Sequence, residues 1–153
     1  MSKAVLISIR PKWCELIASG EKTVEVRKTA PKIETPFKCY IYCTKFNHGD
    51  PDSMINLKGK TSFFMPKGGA VIGEFVCDRI FPIQLTEEGY DYESKKETGL
   101  RYEEMSSYLN FRNGYGWHIS DLVIYDKPKS LNEFRLNRPP QSWCYVEQEV
   151  EEK

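Results

Sequence analysis

The chain has no excess of charge of either sign, since 22 Lys and Arg are matched by 22 Asp and Glu over 153 residues. Proteins that grip a long duplex by displacing counterions need clustered cations. Duplex DNA is therefore excluded as a partner, while a small ligand or a few nucleotides in one pocket fits. No apolar run approaches the roughly 20 residues of a bilayer-spanning helix, and no signal or transit peptide is recognisable. The expectation is a cytoplasmic protein with no membrane partner. There are only two histidines, and no CxxC or HxH spacing that would complete a zinc site, so neither metal nor cofactor is expected. The five cysteines are an odd number. Set among apolar residues, they read as reduced thiols serving as small hydrophobes.

What is present suits one domain spanning 1–153, with an acidic tail at about 147–153 that frays. Val5 to Ile9 reads as a strand. Pro11 suits the first position of a helix whose Trp13, Leu16 and Ile17 form an apolar stripe, and Gly20 ends it. Further strands are expected at 23–27, Phe37 to Thr44, Ala70 to Ile83, Trp117 to Tyr125 (interrupted at Ser120-Asp121) and Ser142 to Gln148. A second helix is expected over Tyr102 to Leu109. Residues 45–69 break every period with Gly, Pro and Asn, and read as a long loop. Strands without regular βαβ alternation predict a mixed α+β domain.

The densest chemistry lies in Gly20-Glu21-Lys22-Thr23-Val24-Glu25-Val26-Arg27. Val24 and Val26 alternate with Thr23, Glu25 and Arg27, so a strand here buries the valines on one face and aligns three polar side chains on the other. That face is either the solvated side of an edge strand or the wall of a cleft.

The pattern G-x-K-x-x-E-x-R in this setting resembles the signature of the ASCH family, a branch of the PUA-like proteins. The resemblance covers most of the chain, with 45–69 and 85–112 as local elaborations. It implies a small PUA-like β-barrel of five or six mainly antiparallel strands with two or more short helices. It also implies a cleft lined by Lys22, Glu25 and Arg27. Two roles follow from it: binding a base or short single-stranded RNA, or hydrolysing the amide of an N4-acylated cytidine such as N4-acetylcytidine. In the hydrolases the motif lysine corresponds to Lys22. A nucleophilic threonine falls on Glu25, where this chain departs from the pattern, and a downstream catalytic glutamate corresponds to Glu74, Glu103 or Glu104. With Glu25 in that place, it would activate water while Lys22 or Arg27 stabilises the oxyanion, or it would serve as base for the Thr23 hydroxyl.

Other segments offer partners. Asn113 to His118 alternates glycines with large aromatics, which makes either a stacking wall from Tyr115 and Trp117 for a nucleobase or a tight turn into a core strand. His118 reads as a structural or ligand-contacting imidazole. Arg138 to Trp143 reads as a stiff proline lead-in ending on a core tryptophan. His48 with Asp50 is a poor metal or relay signal. Cys14, near a helix start, is a candidate nucleophile, although its place beside the apolar stripe favours a buried thiol.

Overall fold

The computed structural model describes residues 3–45, 54–56, 62–64, 69–92 and 95–148. His48 and Asp50, and the tail beyond residue 148, lie outside them. In chain order the elements are β1 (Lys3–Ile9), α1 (Pro11–Ser19), β2 (Val24–Arg27), β3 (Phe37–Cys43), β4 (Met54–Asn56), β5 (Ser62–Phe64), β6 (Ala70–Ile83), β7 (Leu85–Thr86), β8 (Gly89–Tyr90), α2 (Lys95–Thr98), α3 (Tyr102–Leu109), β9 (Gly114–Lys129) and β10 (Trp143–Glu147). A single 3₁₀ turn at Leu131–Phe134 precedes β10.

Six strands form one mixed sheet in the order β10-β1-β3-β6-β9-β2. β1 and β3 are parallel, with Val5 opposite Cys39 and Ile9 opposite Cys43. The other neighbours are antiparallel. Within the segment expected to be a loop, β4 and β5 pair as a short two-stranded ladder. β9 runs unbroken through Ser120-Asp121 because Asp121 takes a left-handed conformation (φ 49°), which absorbs the irregular register against β6.

The domain is α+β as expected, but the sheet is not closed into a barrel. Among the described residues no backbone pairing joins its two edges, β10 and β2. Side chains bridge them instead. Arg27 Nη1 donates to the Ser142 carbonyl at 3.3 Å and to its Oγ at 3.1 Å. Trp143 Nε1 donates to Thr29 Oγ1 at 2.9 Å, and the Lys32 amide to the Tyr145 hydroxyl at 2.7 Å. A guanidinium standing between two edges holds them farther apart than the about 4.8 Å at which strands pair, so the gap becomes a site rather than a seam.

Both faces of β1 are covered, as a strand with a parallel neighbour requires. Val5, Ile7 and Ile9 join Cys39, Ile41, Phe75 and Cys77 beneath Cys14 and Ile17 of α1. Ala4 and Leu6 pack on the other side with Tyr40, Val71 and Phe134. Helix α1 begins at Pro11 and ends at Gly20, whose φ of 83° suits glycine and whose amide donates to Ile17 O at 3.1 Å. The Lys22 amide then donates to Leu16 O at 3.1 Å. That bond turns the chain back under the helix and delivers Lys22 to the start of β2.

Candidate active site

β2 is buried throughout, on both faces. The expected alternation of buried valines and an open polar face is therefore replaced by a strand whose polar side chains are enclosed as well. Lys22 is 2% exposed, Glu25 5% and Arg27 8%. Enclosed charges persist only when they are paired and their hydrogen bonds are made, and here both conditions hold. Lys22 Nζ stands 3.1 Å from Glu25 Oε1, donates to Val24 O at 2.9 Å and also donates to Thr98 O. Arg27 Nε donates to Glu25 Oε2 at 2.9 Å. Its Nη2 donates to the same oxygen and, at 2.7 Å, to Ser8 O. With Nη1 on Ser142, all five guanidinium donors and all three ammonium donors have acceptors. Glu25 is clamped between two cations. Of its roughly four acceptor positions, three are filled, and the open one lies on Oε1.

Burial pushes the Glu25 carboxyl up, but Lys22 and Arg27 together outweigh it and hold it below the usual carboxylate range. Burial works against the Arg27 charge in the same way, and Glu25 beside it raises its pKa nonetheless. The cluster is thus an anion held between two basic side chains.

The array forms the floor of a cavity of about 1250 Å³. Its walls come from distant parts of the chain. Trp13 of α1, whose ring lies 5.4 Å from Lys22 Nζ, stands with Glu103, Glu104, Ser107 and Tyr108 of α3. Gln141 and Ser142 of the proline lead-in stand with Ser8 on the β1 side. The lead-in is anchored because Ser8 Oγ donates to Pro140 O at 2.8 Å. Burial pushes the Tyr108 phenol up, Arg27 pulls it back in part, and Glu25 adds to the rise. The Tyr108 ring therefore looks onto the charged floor.

The structure brings together Lys22, Glu25 and Arg27, and leaves Thr23, Glu74, Tyr115, Trp117 and His118 outside the cavity lining. Thr23 is committed through its backbone: its amide donates to Glu97 O at 2.8 Å and its carbonyl accepts from Ile119 at 2.9 Å. Trp117 sits opposite Glu25 in the β2–β9 register. Its indole is 0% exposed and packs edge-on against Phe37 and Trp143 inside the core, so its faces are covered. Tyr115 is opposite Arg27 in register and exposed. His118 Nδ1 pairs with Asp78 Oδ1 at 2.7 Å. Glu74 binds Lys38 at 2.9 Å and accepts from Tyr125 at 2.7 Å.

Of the three downstream glutamates, Glu103 and Glu104 line the cavity. Glu104 is already held by Arg101 and Lys12. Burial pushes the Cys14 thiol well up, which leaves it protonated and inert. Sequence reading missed Trp13 and Tyr108 as walls, and it missed the lead-in as a wall. The available signal was Trp13 of α1, just before the lysine motif; nothing in the sequence ties Tyr108 of α3, much farther down the chain, to that motif. Among the described residues no group of three or more His, Cys, Asp or Glu is placed to hold a metal, and no helix is long and apolar enough to cross a membrane.

The ASCH domain family model matches residues 7–119. Among solved structures, the ASCH protein of Zymomonas mobilis aligns with a TM-score of 0.67 at 21% identity, covering 95% of this chain and 88% of that one. A tyrosine-to-phenylalanine variant of it aligns at 0.67 and 21%, covering 96% and 92%. A serine-to-alanine variant aligns at 0.66 and 19%, covering 95% and 89%. At these identities the likeness concerns the fold. No curated protein compared with the chain matches it. The chain belongs to the ASCH family, and its fold is PUA-like.

Proposed function

We propose that this ASCH protein takes a single modified pyrimidine nucleoside into the cavity and hydrolyses the amide of an N4-acylated cytidine. The observation that carries the reading is the ionised Glu25, clamped between Lys22 and Arg27 at the cavity floor with one acceptor position open. A water donating to that position is oriented at any pH above the low pKa of Glu25. It attacks the acyl carbon, its proton passes to Glu25, and the C–N4 bond breaks. The same proton returns to N4, releasing cytidine and a carboxylic acid, which loses its remaining proton to solvent and leaves as the carboxylate. Lys22 and Arg27 stabilise the tetrahedral oxyanion by their fixed charge. Closer contact requires a Lys22 N–H to exchange its Val24 or Thr98 carbonyl for the oxyanion.

Water is a better nucleophile in this setting than the Thr23 hydroxyl, because Thr23 does not line the cavity. Trp13 and Tyr108 hold the ring by stacking, and Glu103 is the second carboxylate facing the ligand. The same observations support a second reading. With every Lys22 and Arg27 donor already occupied, the open Glu25 acceptor is left to receive a base N–H, which suits holding a base or short single-stranded RNA without chemistry.

The test is incubation with N4-acetylcytidine and a panel of N4-acylcytosines, followed by chromatography for cytidine or cytosine. Release by the wild-type protein is expected. An intact panel, with binding of short single-stranded RNA lost on Lys22→Ala, would decide for the binder.

A further inference from the structure

Beyond the floor, the cavity lining carries cations that the deacylation chemistry does not use. Arg10 and Lys45 both line it and are exposed. Neither side chain has a hydrogen bond or ion pair among the described residues, whereas the other cations nearby are engaged. Lys22 and Arg27 are on Glu25, Lys12 is on Glu104, and Lys28 lies over the Tyr108 ring at 5.3 Å.

The two are neighbours by construction. Ile9 pairs with Cys43 in the parallel ladder, and the Thr44 amide donates to Ile9 O at 2.9 Å. Arg10 is therefore the first residue and Lys45 the second beyond the carboxyl ends of two adjacent parallel strands, the end at which open sheets take ligands. Helix α1 starts beside them, and its first turn has no acidic residue to offset their charge. The carboxylates of the lining are Glu25 on the floor, already between two cations, and Glu103 and Glu104 on α3. The volume of about 1250 Å³ also exceeds the roughly 300–1,000 Å³ of an ordinary small-ligand pocket.

From this placement we propose that Arg10 and Lys45, with the hydroxyl of Thr44 directly before Lys45, form a phosphate subsite at the cavity mouth. The ligand is then a nucleotide, its base on the Trp13–Tyr108 side and its phosphate on the β1–β3 side. The proposal rests on the reading that the cavity holds a nucleoside, but not on hydrolysis. Arginine grips two phosphate oxygens as a fork and lysine adds a point charge, a pairing suited to a dianion.

The experiment is calorimetric titration of wild type, Arg10→Ala, Lys45→Ala and the double variant. The probes are N4-acetylcytidine, its 5′- and 3′-monophosphates, and a short oligonucleotide ending in the same nucleotide. Charge-assisted bonds of this kind are worth about tenfold or more in affinity each. A wild-type preference for at least one phosphate-bearing probe of about tenfold or more is expected. It should collapse in the double variant, while affinity for the nucleoside holds. Preference for the free monophosphate identifies a nucleotide ligand, and preference for the oligonucleotide a strand terminus. Equal affinity for nucleoside and nucleotides in the wild type would overturn the subsite, as would a preference that survives the double substitution. Phosphate-dependent binding without release of cytidine would leave the subsite standing and remove only the hydrolase reading.

Discussion

Glu25→Gln keeps the shape of the side chain and removes the one negative charge between Lys22 and Arg27. The two cations then face each other across a neutral amide, each enclosed, with no anion left in the cluster. Breaking a buried ion pair by neutralising one partner costs about 3–5 kcal/mol, against a total stability of about 5–15 kcal/mol for a domain. For a chain of this length each kcal/mol moves the melting temperature by about 2–4 °C, so a fall of roughly 6–20 °C is expected in scanning calorimetry at neutral pH.

The pH dependence fixes the cause. The folded pKa of Glu25 is depressed below its usual 4.5, so its contribution is fully present above the unfolded value. It is lost as pH falls through the lower folded value. The gap between wild type and Glu25→Gln should therefore be widest above about pH 5 and close as the pH drops well below 4. Equal melting temperatures at pH 7, or a gap that widens in acid, would refute the claim that the array is held together by an ionised Glu25.

Two further outcomes follow from the walls and the charge. Tyr108→Ala removes a ring from the cavity wall and is expected to weaken nucleoside binding by about 1–3 kcal/mol, the usual worth of one base–aromatic stack. Calorimetric titration would measure this, and unchanged affinity would move the base elsewhere. Salt titration of duplex DNA binding should show no affinity, since the chain's charges balance.

Several elements were legible because their signals are local. Helix α3 and strand β6 run over the residues that periodicity assigns, Tyr102–Leu109 and Ala70–Ile83, and Pro11 and Gly20 bracket α1. The lysine motif was legible as a cluster but not as an enclosed one. Alternation along four residues does not reveal that Arg27 will meet Ser142, 115 residues away. The aromatic run at 113–118 misled for a related reason. Trp117 packs against Phe37 of β3 and Trp143 of β10, partners that lie far from it in sequence, and so sits in the core, while Tyr115 on the same strand stays exposed. Two of the rings lining the cavity, Trp13 and Tyr108, come instead from helices far apart in sequence. The elements that the sequence pattern does not show are the three-residue strands β4 and β5, the two-residue strands β7 and β8, the four-residue α2 and the 3₁₀ turn, all shorter than the window in which a period can be seen.

The central claim is that Lys22 and Glu25 act as one unit on an N4-acylated cytidine. It is tested most directly by a double-mutant cycle on turnover of N4-acetylcytidine, using Lys22→Ala, Glu25→Gln and both together, each first shown folded by circular dichroism. The account predicts losses of about 10²-fold or more for each single variant and little further loss for the pair, because groups that work together fail together. Full turnover in either single variant, or losses that multiply in the double, would contradict it.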